Sequence, residues 1–392
     1  MSEPVTPELA ALRRRYRDLR VAIVHDWLVV DGGAEKVLRA LLAAFPQAEV
    51  FTLVDHLPDD KRGWLADHRV HTSLIQRLPF SRRYYRHYLP FMPYAIEQMD
   101  LRGFDLVISS SHAVAKGIPT LPGQYHLCYC HTPMRYAWDM KEGYLADAAF
   151  PAPLEWYVRR TLGRLRQWDY ITASQVDHFV ANSHNVASRI AKFYRREATV
   201  LHPPVDVGAF AFHPGPRSDY YLAASRLVPY KRIDLIIEAF RHSPGRQLKV
   251  VGDGPERKRL ERLAKGADNI TLLGHQPHDR LQSLMQRARG FVFAADEDFG
   301  IMPLEAQACG TPVIAFGQGG ALETVRGEED HNPTGVFFDA QRPESLTQAL
   351  ERFEQRGFSP LACREQAESF GTHLFWQRLS AQLERLPIRL SR

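Results

Sequence analysis

Short apolar stretches alternate with amphipathic stretches along almost the whole chain, and this alternation constrains the fold more than any other feature of the sequence. VAIVHDWL (21–28) predicts a strand, and AEKVLRALLAAF (34–45) predicts a helix with its apolar side chains on one face. YYLAASRL (220–227) and RIDLIIEAF (232–240) repeat the pattern. Strands that are apolar on both faces, each followed by a helix, are typical of parallel sheets covered on both sides. Further strands are predicted within 49–54, 105–111, 125–131, 178–183, 247–256, 269–275, 290–295 and 311–320.

The chain is too long for one ordinary hydrophobic core, because its 392 residues exceed the size at which single cores stop growing. The alternation breaks at 201–218, which is rich in proline and glycine and predicts a linker. We therefore expect two doubly wound α/β domains, at 20–205 and 206–365. A helix within 366–388 is expected to pack back on the first domain. Residues 1–19 are polar and basic and are predicted to be a loose lead-in.

Composition excludes several classes of protein. With 45% hydrophobic residues, 24% charged residues and four cysteines, the chain is typical of a globular protein in a reducing compartment. No run of about 18 apolar residues and no apolar signal core is present, so a cytoplasmic protein is expected. Cys128 and Cys130, next to His131, lack a second ligand pair, which argues against a zinc site. The net charge of +5 favours anionic partners in general.

The segment EDFGIMPLE (297–305) follows a predicted buried strand and opens a predicted helix. Glu297 should lie in the strand-to-helix loop and Glu305 about one turn into the helix. Both would then point at the crevice outside the carboxyl ends of the strands, where open α/β sheets bind ligands. Carboxylates accept hydrogen bonds from hydroxyls, and free N–H groups at the helix start receive an anion. The alternative is a capped surface helix with two solvated acids.

Three further segments carry polar groups at the same predicted edge. In SRLVPYKRID (225–234), Arg226 and Lys231 lie between a strand and a helix, although a solvated basic loop is the alternative. DGGAEKV (31–37) places Gly32 and Gly33 where a backbone approaches a ligand closely, or makes a simple tight turn. HTPMRYAWD (131–139) begins with His131 and adds two charged side chains, Arg135 and Asp139; Asp26, at the end of the first strand, is a weaker candidate.

A nicotinamide-dependent dehydrogenase with two such domains would need G-x-G-x-x-G after a strand and an acidic residue about twenty positions later. The segment VVGDGPE (250–256) lacks the third glycine. The sequence therefore argues against this class.

Taken together, EDFGIMPLE, SRLVPYKRID, VVGDGPE and DGGAEKV resemble the motifs of the retaining glycosyltransferase family four, in this order and over about residues 20–385. This resemblance implies the GT-B fold, with two Rossmann-like domains facing a central cleft. It also implies transfer of a sugar from a nucleoside-diphosphate sugar. Fold alone does not guarantee activity, so a non-catalytic protein that binds sugar nucleotides is the alternative.

The resemblance also assigns roles to residues of this sequence. Arg226 and Lys231 would bind the diphosphate, and Glu297 the transferred sugar, with His131 as the fourth catalytic residue, orienting the sugar or the acceptor hydroxyl. Glu305 would bind the ribose hydroxyls. The remaining donor-binding residues would be Gly32, Gly33, Gly274, His275, Phe299, Gly300 and Ile301. A side chain at Gly300 would block the sugar, and the turn with Gly274, His275 and Gln276 would flank the nucleobase.

The expected reaction retains the anomeric configuration. No carboxylate pair of the kind that retaining glycosidases use is visible, so we expect front-side attack with the diphosphate accepting the acceptor's proton. Cations and helix N-termini would stabilise the leaving group, so no metal and no cofactor is expected. Asp59 with Asp60, and Asp296 with Asp298, are poor substitutes for a metal-binding Asp-x-Asp.

The acceptor is less constrained by the sequence. Residues 74–94 and 155–170 combine aromatic residues with arginines, among them Arg82, Arg83 and Arg86. Such stretches suit an anionic membrane surface, although the rings could instead be core with arginines extending from it. We expect peripheral association with the inner face of the cytoplasmic membrane and a polyprenyl-diphosphate-linked glycan acceptor. No nucleic-acid-binding motif accompanies these stretches, so nucleic acid is not an expected partner.

The segments 26–37 and 129–139 resemble those of bacterial O-antigen and exopolysaccharide mannosyltransferases. GDP-mannose is therefore the favoured donor, and UDP-glucose, UDP-N-acetylglucosamine and dTDP-sugars are the alternatives.

Overall fold

A computed structural model describes residues 5–148 and 150–388. Contacts between residues divide the chain into two compact units, one formed by Met1–Pro204 with His373–Arg392 and the other by Val205–Thr372. The division falls inside the proline-rich stretch 201–218. Its later residues are not a loose linker, because Arg217 donates hydrogen bonds to the carbonyls of Gln286 and Gly310 within the second unit.

Each unit is built on one parallel sheet. The first sheet has seven strands in the order β3-β2-β1-β4-β5-β6-β7, and the second has six in the order β10-β9-β8-β11-β12-β13. The strands are β1 (Val21–His25), β2 (Glu49–Thr52), β3 (Val70–Thr72), β4 (Leu106–Ser111), β5 (Tyr125–Cys130), β6 (His178–Ala181), β7 (Ala198–Val200), β8 (Tyr221–Ala224), β9 (Leu248–Val251), β10 (Ile270–Gly274), β11 (Gly290–Phe293), β12 (Val313–Phe316) and β13 (Gly335–Phe338). In both sheets the direction of winding reverses beside the first strand, between β1 and β4 and between β8 and β11. The prediction of two doubly wound parallel sheets is confirmed.

The helices that connect the strands are mostly short. They are α1 (Pro7–Tyr16), α2 (Gly33–Ala44), α3 (Ser81–Tyr84), α4 (Met92–Glu97), α5 (Lys141–Ala148), α6 (Ala152–Thr172), α7 (His184–Tyr194), α8 (Ile233–Arg241), α9 (Arg257–Ala264), α10 (His278–Arg287), α11 (Ile301–Ala308), α12 (Ala321–Thr324), α13 (Pro343–Glu354), α14 (Pro360–Glu368) and α15 (Thr372–Leu383). Within the part of the chain that is described, no helix combines the length and apolar character needed to cross a membrane.

Both faces of the first sheet are covered. Side chains point alternately to the two faces along each strand, so one strand contributes to two cores. Val21 and Ile23 of β1 pack into the core under α1, α2 and α15, whereas Ala22 and Val24 pack into the core under α4. Trp376 of α15 is buried in the first of these cores, and its indole N–H donates to the carbonyl of Ala40. Residues 366–372 belong to the second unit, so the segment that packs back on the first unit begins at His373.

The expectation of a loose lead-in at residues 1–19 was wrong for the residues described there. Thr6 caps α1, Pro7 is its first residue, and Leu9, Leu12 and Tyr16 are buried on one face. These three apolar residues recur at helical spacing, but the many arginines around them conceal the pattern. The strands β3, β7 and β13 were not predicted. Each lies at an edge of its sheet, and β3 and β7 have only three residues.

Candidate functional site

Polar side chains meet at the carboxyl ends of β1, β4 and β5 in the first unit. The parallel register pairs His25 with Ser110, so their side chains lie on the same face of the sheet. The Oγ atom of Ser110 lies 3.1 Å from Nδ1 of His25 and 2.8 Å from Nε2 of His131. His25 and Ser110 are fully buried, and His131 is 9% exposed. This edge lies at the switch point of the sheet, the usual ligand position in open α/β folds.

The glycine turn after β1 is joined to the same group of residues through Glu35. Gly32 caps α2, and its backbone N–H donates to the Glu35 carboxylate at 2.9 Å. The other carboxylate oxygen lies 3.6 Å from Nε2 of His25, within ion-pair range but too long for a direct hydrogen bond. A Cβ atom at Gly32 would lie 3.2 Å from this carboxylate. The group that approaches the Gly32 backbone closely is therefore the Glu35 side chain. Gly33 is the first residue of α2.

Burial alone would raise the pKa of the Glu35 carboxyl group. His25 and the N–H groups of Gly32 and Glu35 outweigh that effect, so the pKa of Glu35 lies below its ordinary value. Burial lowers the pKa of His131 well below its ordinary value, and the neighbouring His112 and His25 lower it further. At neutral pH this edge therefore presents an ionised carboxylate and a neutral imidazole.

Asp26 is fully buried, and its carboxylate oxygens accept hydrogen bonds from groups within the protein. One carboxylate oxygen accepts from the N–H groups of His112 and Ala113, and the other from those of Val114 and Ala115, at 2.6 to 2.9 Å. The His112 ring nitrogen lies 3.0 Å from the same carboxylate. Asp26, the weaker candidate of the sequence analysis, thus holds the turn after β4 in place.

The loop that begins at His131 carries charges that compensate one another. Arg135 lies 3.8 Å from the carboxylate of Asp139, and Arg189 of α7 lies 3.1 Å from the same carboxylate. Arg189 also donates to the hydroxyl of Thr132 at 3.3 Å. These contacts hold the loop against α7.

In the second unit, Lys231 and Glu297 form an ion pair at the switch point between β8 and β11. Lys231 comes from the turn after β8, and Glu297 from the loop between β11 and α11. Their side chains are 12% and 18% exposed. Burial lowers the pKa of Lys231 to about 8, whereas the adjacent carboxylate favours the charged ammonium. A largely buried cation and carboxylate are therefore held together at the sheet edge where open α/β folds bind ligands.

Backbone contacts fix the loop that carries Glu297. The N–H of Gly320, after β12, donates to the Glu297 carbonyl at 2.8 Å, and a Cβ atom at Gly320 would collide with the backbone of Phe299. Gly300 adopts φ +87° and caps α11. A Cβ atom there would make only ordinary contacts within the protein, so the backbone conformation is what favours glycine at this position.

The other predicted donor-site residues lie on the same edge of the second unit. Glu305 is the fifth residue of α11 and is buried, and Ile301 is the first. Phe299 is buried with its ring against Phe370, so its side chain belongs to the core. Arg226 is exposed, and its side chain makes no ion pair with another described residue. Arg226 thus takes no part in the ion pair between Lys231 and Glu297.

The residues predicted to flank a nucleobase follow β10. Gly274 ends the strand, and its carbonyl accepts from the N–H of Gly252 at 2.9 Å. His275, the next residue, is exposed. Backbone contacts thus join the loops after β9 and β10.

The predicted membrane residues lie in and after α3 of the first unit. Arg82, Arg83 and Arg86 are all exposed. The guanidinium of Arg83 lies over the ring of Tyr84, and Arg86 donates to the hydroxyl of Tyr85 at 3.0 Å.

Sequence reasoning missed Glu35, His25, Ser110 and His112. The position of Glu35 three residues after Gly32 matches the third position of a capping box, which could have marked it. His25 and Ser110 carried no such signal, because a polar residue at a strand end is ordinary.

Two family models match the chain, one in each half. The model described as Glycosyltransferase Family 4 matches residues 31–209, and the model described as Glycosyl transferases group 1 matches residues 212–370. Each half of the chain thus matches a family of glycosyltransferases, and the two parallel-sheet units agree with the GT-B fold.

Individual relatives are more distant. The chain is 27% identical over 290 residues to D-inositol 3-phosphate glycosyltransferase of Mycobacteroides abscessus, covering 63% of each chain. It is 33% identical over 193 residues to GDP-mannose-dependent alpha-(1-6)-phosphatidylinositol monomannoside mannosyltransferase of Mycobacterium tuberculosis, covering 42% of this chain and 49% of that one. The chain thus spans less than two thirds of the length of these curated relatives.

Solved structures share the fold at low identity. Sucrose-phosphate synthase of Thermosynechococcus elongatus superposes with a TM-score of 0.69 at 19% identity, over 94% of this chain and 99% of that one. Alr3699/HepE of Anabaena, solved with UDP and glucose, has a TM-score of 0.68 at 17% identity, over 94% and 100% of the two chains. These similarities support the GT-B fold.

The network around Asp26 predicts a large stability loss on Asp26→Asn. The amide NH₂ would face N–H donors that now donate to a carboxylate oxygen, and each unsatisfied buried donor costs about 1–3 kcal/mol. We expect the free energy of unfolding in denaturant to fall by about 2–5 kcal/mol. Asp31→Asn, which weakens a partly exposed ion pair with Arg39, is the matched control and should cost less than about 1 kcal/mol. Equal losses in the two variants would contradict this account of Asp26.

Proposed function

We propose that this protein is a retaining glycosyltransferase that moves a hexose from a nucleoside-diphosphate sugar to a glycan acceptor. The observation that carries the proposal is the Lys231–Glu297 ion pair at the switch point of the second sheet. It joins a cation that suits a diphosphate to a carboxylate that suits sugar hydroxyls. The two family matches support the same activity.

In the proposed donor site, Lys231 and the exposed guanidinium of Arg226 bind the diphosphate. Breaking the sugar–phosphate bond leaves negative charge on the phosphate oxygen, so cations placed there stabilise the transition state. Glu297 accepts hydrogen bonds from hydroxyls of the transferred sugar, and Glu305 from those of the ribose. The N–H groups in the first turn of α11, which have no partner inside the helix, add donors for the sugar or the phosphate.

The proposed reaction proceeds on one face of the sugar. The bond from the anomeric carbon to the phosphate oxygen breaks, and a bond from the acceptor oxygen forms on the same face. The departing phosphate takes the acceptor's proton, so the step needs positioning and charge stabilisation rather than a protein nucleophile. His131, neutral and at the edge of the first sheet, orients a hydroxyl of the sugar or of the acceptor.

GDP-mannose is the proposed donor, and a mannosyl residue the proposed group transferred. The similarity to a GDP-mannose-dependent mannosyltransferase supports this choice, although it covers only 42% of this chain. We propose a polyprenyl-diphosphate-linked glycan as acceptor in bacterial surface polysaccharide synthesis. We propose further that no divalent metal is required, because Lys231 and Arg226 provide the positive charge.

Nucleotide binding gives the direct test. Thermal unfolding is measured in EDTA with GDP, UDP, dTDP, ADP or NAD, and a ligand at a hundred times its dissociation constant should add about 2.7 kcal/mol of stability. We expect stabilisation by GDP, its loss in Glu305→Ala, and slow release of GDP from GDP-mannose with EDTA present. Binding without hydrolysis or transfer would indicate a non-catalytic binder, and activity that EDTA abolishes would contradict the metal-free reaction.

The environment of Lys231 predicts a pH dependence. Because the pKa of Lys231 is lowered to about 8, the ammonium is charged below that pH and loses its charge as the pH rises through it. The ratio kcat/KM for the donor should therefore fall above about pH 8. Lys231→Arg keeps its charge and should remove this decline, whereas Lys231→Ala should lower turnover by about 10²-fold.

Lys258, exposed on α9, provides the control for the loss of a lysine. Lys258→Ala should retain both the activity and the decline above pH 8. A decline that persists in Lys231→Arg would assign it to another group.

An exposed surface of the first unit, formed by residues around α3 and α4, supports the proposal of association with an anionic membrane. Phe80, immediately before α3, is 78% exposed and adopts φ +55°, and Phe91 and Tyr94 are each 58% exposed. Arg82, Arg83 and Arg86 are exposed in the same stretch of chain. Exposed rings with arginines beside them suit the headgroup region of a bilayer.

Replacing Arg82, Arg83 and Arg86 by serine should weaken binding to vesicles that contain anionic lipid. At about 1 kcal/mol for each basic residue, the loss should be roughly 10²-fold. Binding is measured by vesicle sedimentation, with GDP binding as the check on the fold. Serine at Arg14, Arg15 and Arg17, also exposed, removes the same charge elsewhere and should have a much smaller effect. Unchanged vesicle binding in the first variant would rule out this surface.

A further inference from the structure

Three buried polar side chains connect the glycine turn of the first unit to His131. Glu35 lies at the start of α2, His25 at the end of β1 and Ser110 near the end of β4. We propose that Glu35, His25 and Ser110 form a positioning chain that holds the His131 proton on Nε2 and leaves Nδ1 to accept a hydrogen bond from a substrate hydroxyl. The substrate step rests on the proposed function, whereas the proton arrangement does not.

The contacts leave the side chains of the positioning chain little freedom to move. Ser110 Oγ is within hydrogen-bond distance of both His25 and His131, and Glu35 is held by the Gly32 N–H. The backbone N–H of His131 donates to the Ser111 carbonyl at 2.8 Å, which fixes the start of the loop. Among the described residues, none makes a hydrogen bond to Nδ1 of His131. That nitrogen is therefore the one that a ligand can use.

The direction of the protons follows from the ionised carboxylate at one end. A neutral imidazole has one N–H donor and one acceptor nitrogen. The Glu35 carboxylate lies 3.6 Å from Nε2 of His25, so its charge favours the His25 proton on Nε2, and Nδ1 then accepts the hydroxyl proton of Ser110. Ser110 has no second proton, so it accepts from His131, whose Nε2 must then carry hydrogen.

His112 lies beside the positioning chain but is not part of it. Its ring centre is 6.3 Å from that of His25 and 6.2 Å from that of His131, and its side chain faces Asp26. Asp26 in turn is occupied by four backbone N–H groups. The carboxylate that orients His131 is therefore Glu35.

A second buried serine–histidine pair provides a control for the positioning chain. Ser109 and His126, both fully buried, form a second serine–histidine pair between β4 and β5, with Oγ 2.8 Å from Nε2. Adjacent residues of a strand point to opposite faces, so Ser109 points away from the face that carries Ser110. Ser109→Ala and Ser110→Ala each delete one buried hydroxyl bonded to a histidine, but only Ser110→Ala interrupts the proposed chain.

The proton positions are measured by ¹⁵N-detected histidine spectra at pH 8, where imidazoles carry one proton. We expect the Nε2–H form of His131 in the wild type. In Glu35→Gln, the amide oxygen keeps the Gly32 N–H and the NH₂ group faces His25, which reverses every donor along the chain. His131 should then carry its proton on Nδ1, and Ser109→Ala should match the wild type. An unchanged His131 tautomer in Glu35→Gln would overturn the proposal.

Steady-state kinetics test whether the arrangement matters for transfer. Glu35→Gln and Ser110→Ala should each lower kcat by about 10- to 100-fold, the usual range for partners that orient a histidine, with KM for the donor unchanged. The double variant should be little worse than either single one, because both interrupt the same chain. Ser109→Ala should retain kcat although it also loses thermal stability, because it too deletes a buried hydroxyl bonded to a histidine.

The two levels of the proposal fail separately. A tautomer switch without any change in kcat would overturn the role of Nδ1 in transfer and leave the proton arrangement standing. A wild type that shows the Nε2–H form but transfers no sugar from any donor would overturn the proposed function alone. Equal loss of kcat in Ser109→Ala and Ser110→Ala would overturn the positioning role, because the effect would then be structural.

Discussion

The buried carboxylate of Asp26 is the interaction on which the edge of the first sheet depends. A charge without solvent is costly unless donors surround it, and here four consecutive N–H groups of residues 112–115 do so. The turn after β4 is thereby fixed against the end of β1. Ser110, two residues before that turn, then lies between His25 and His131, and the geometry of the histidines follows from this one anchored carboxylate.

The two units present different chemistry at equivalent positions. At the switch point of the first sheet, the neutral imidazole of His131 and the hydroxyl of Ser110 lie near the edge, with the Glu35 carboxylate beyond His25, and such groups suit the recognition of hydroxyls. At the switch point of the second sheet, a lysine and a glutamate face each other, which suits a ligand with both phosphate and hydroxyl groups. This contrast is one reason to propose a donor site in the second unit and an acceptor-side role for the first.

Much of the fold could be predicted because parallel strands buried on both faces are apolar throughout, as β11 and β12 are and β1 nearly is. Short strands such as β3 and β7 carry too few residues for such a pattern, and α1 conceals three buried residues among arginines. Glu297 and Lys231 could be selected as candidates because they lie in two motifs that resemble those of a glycosyltransferase family. Their direct pairing could not, because it joins loops more than sixty residues apart in the chain.

The sequence by itself determined the class of fold, the position of the break between the units and the segments that line the two edges, because periodicity and turn residues act locally. The tertiary structure decided how those segments are used. Asp26 became an internal anchor and Glu35 a partner of His25, since the parallel register sets His25 beside Ser110 and the burial of α2 brings its first turn against β1. Partners of this kind depend on which strands become neighbours, and the order of strands in a sheet is a property of the whole fold.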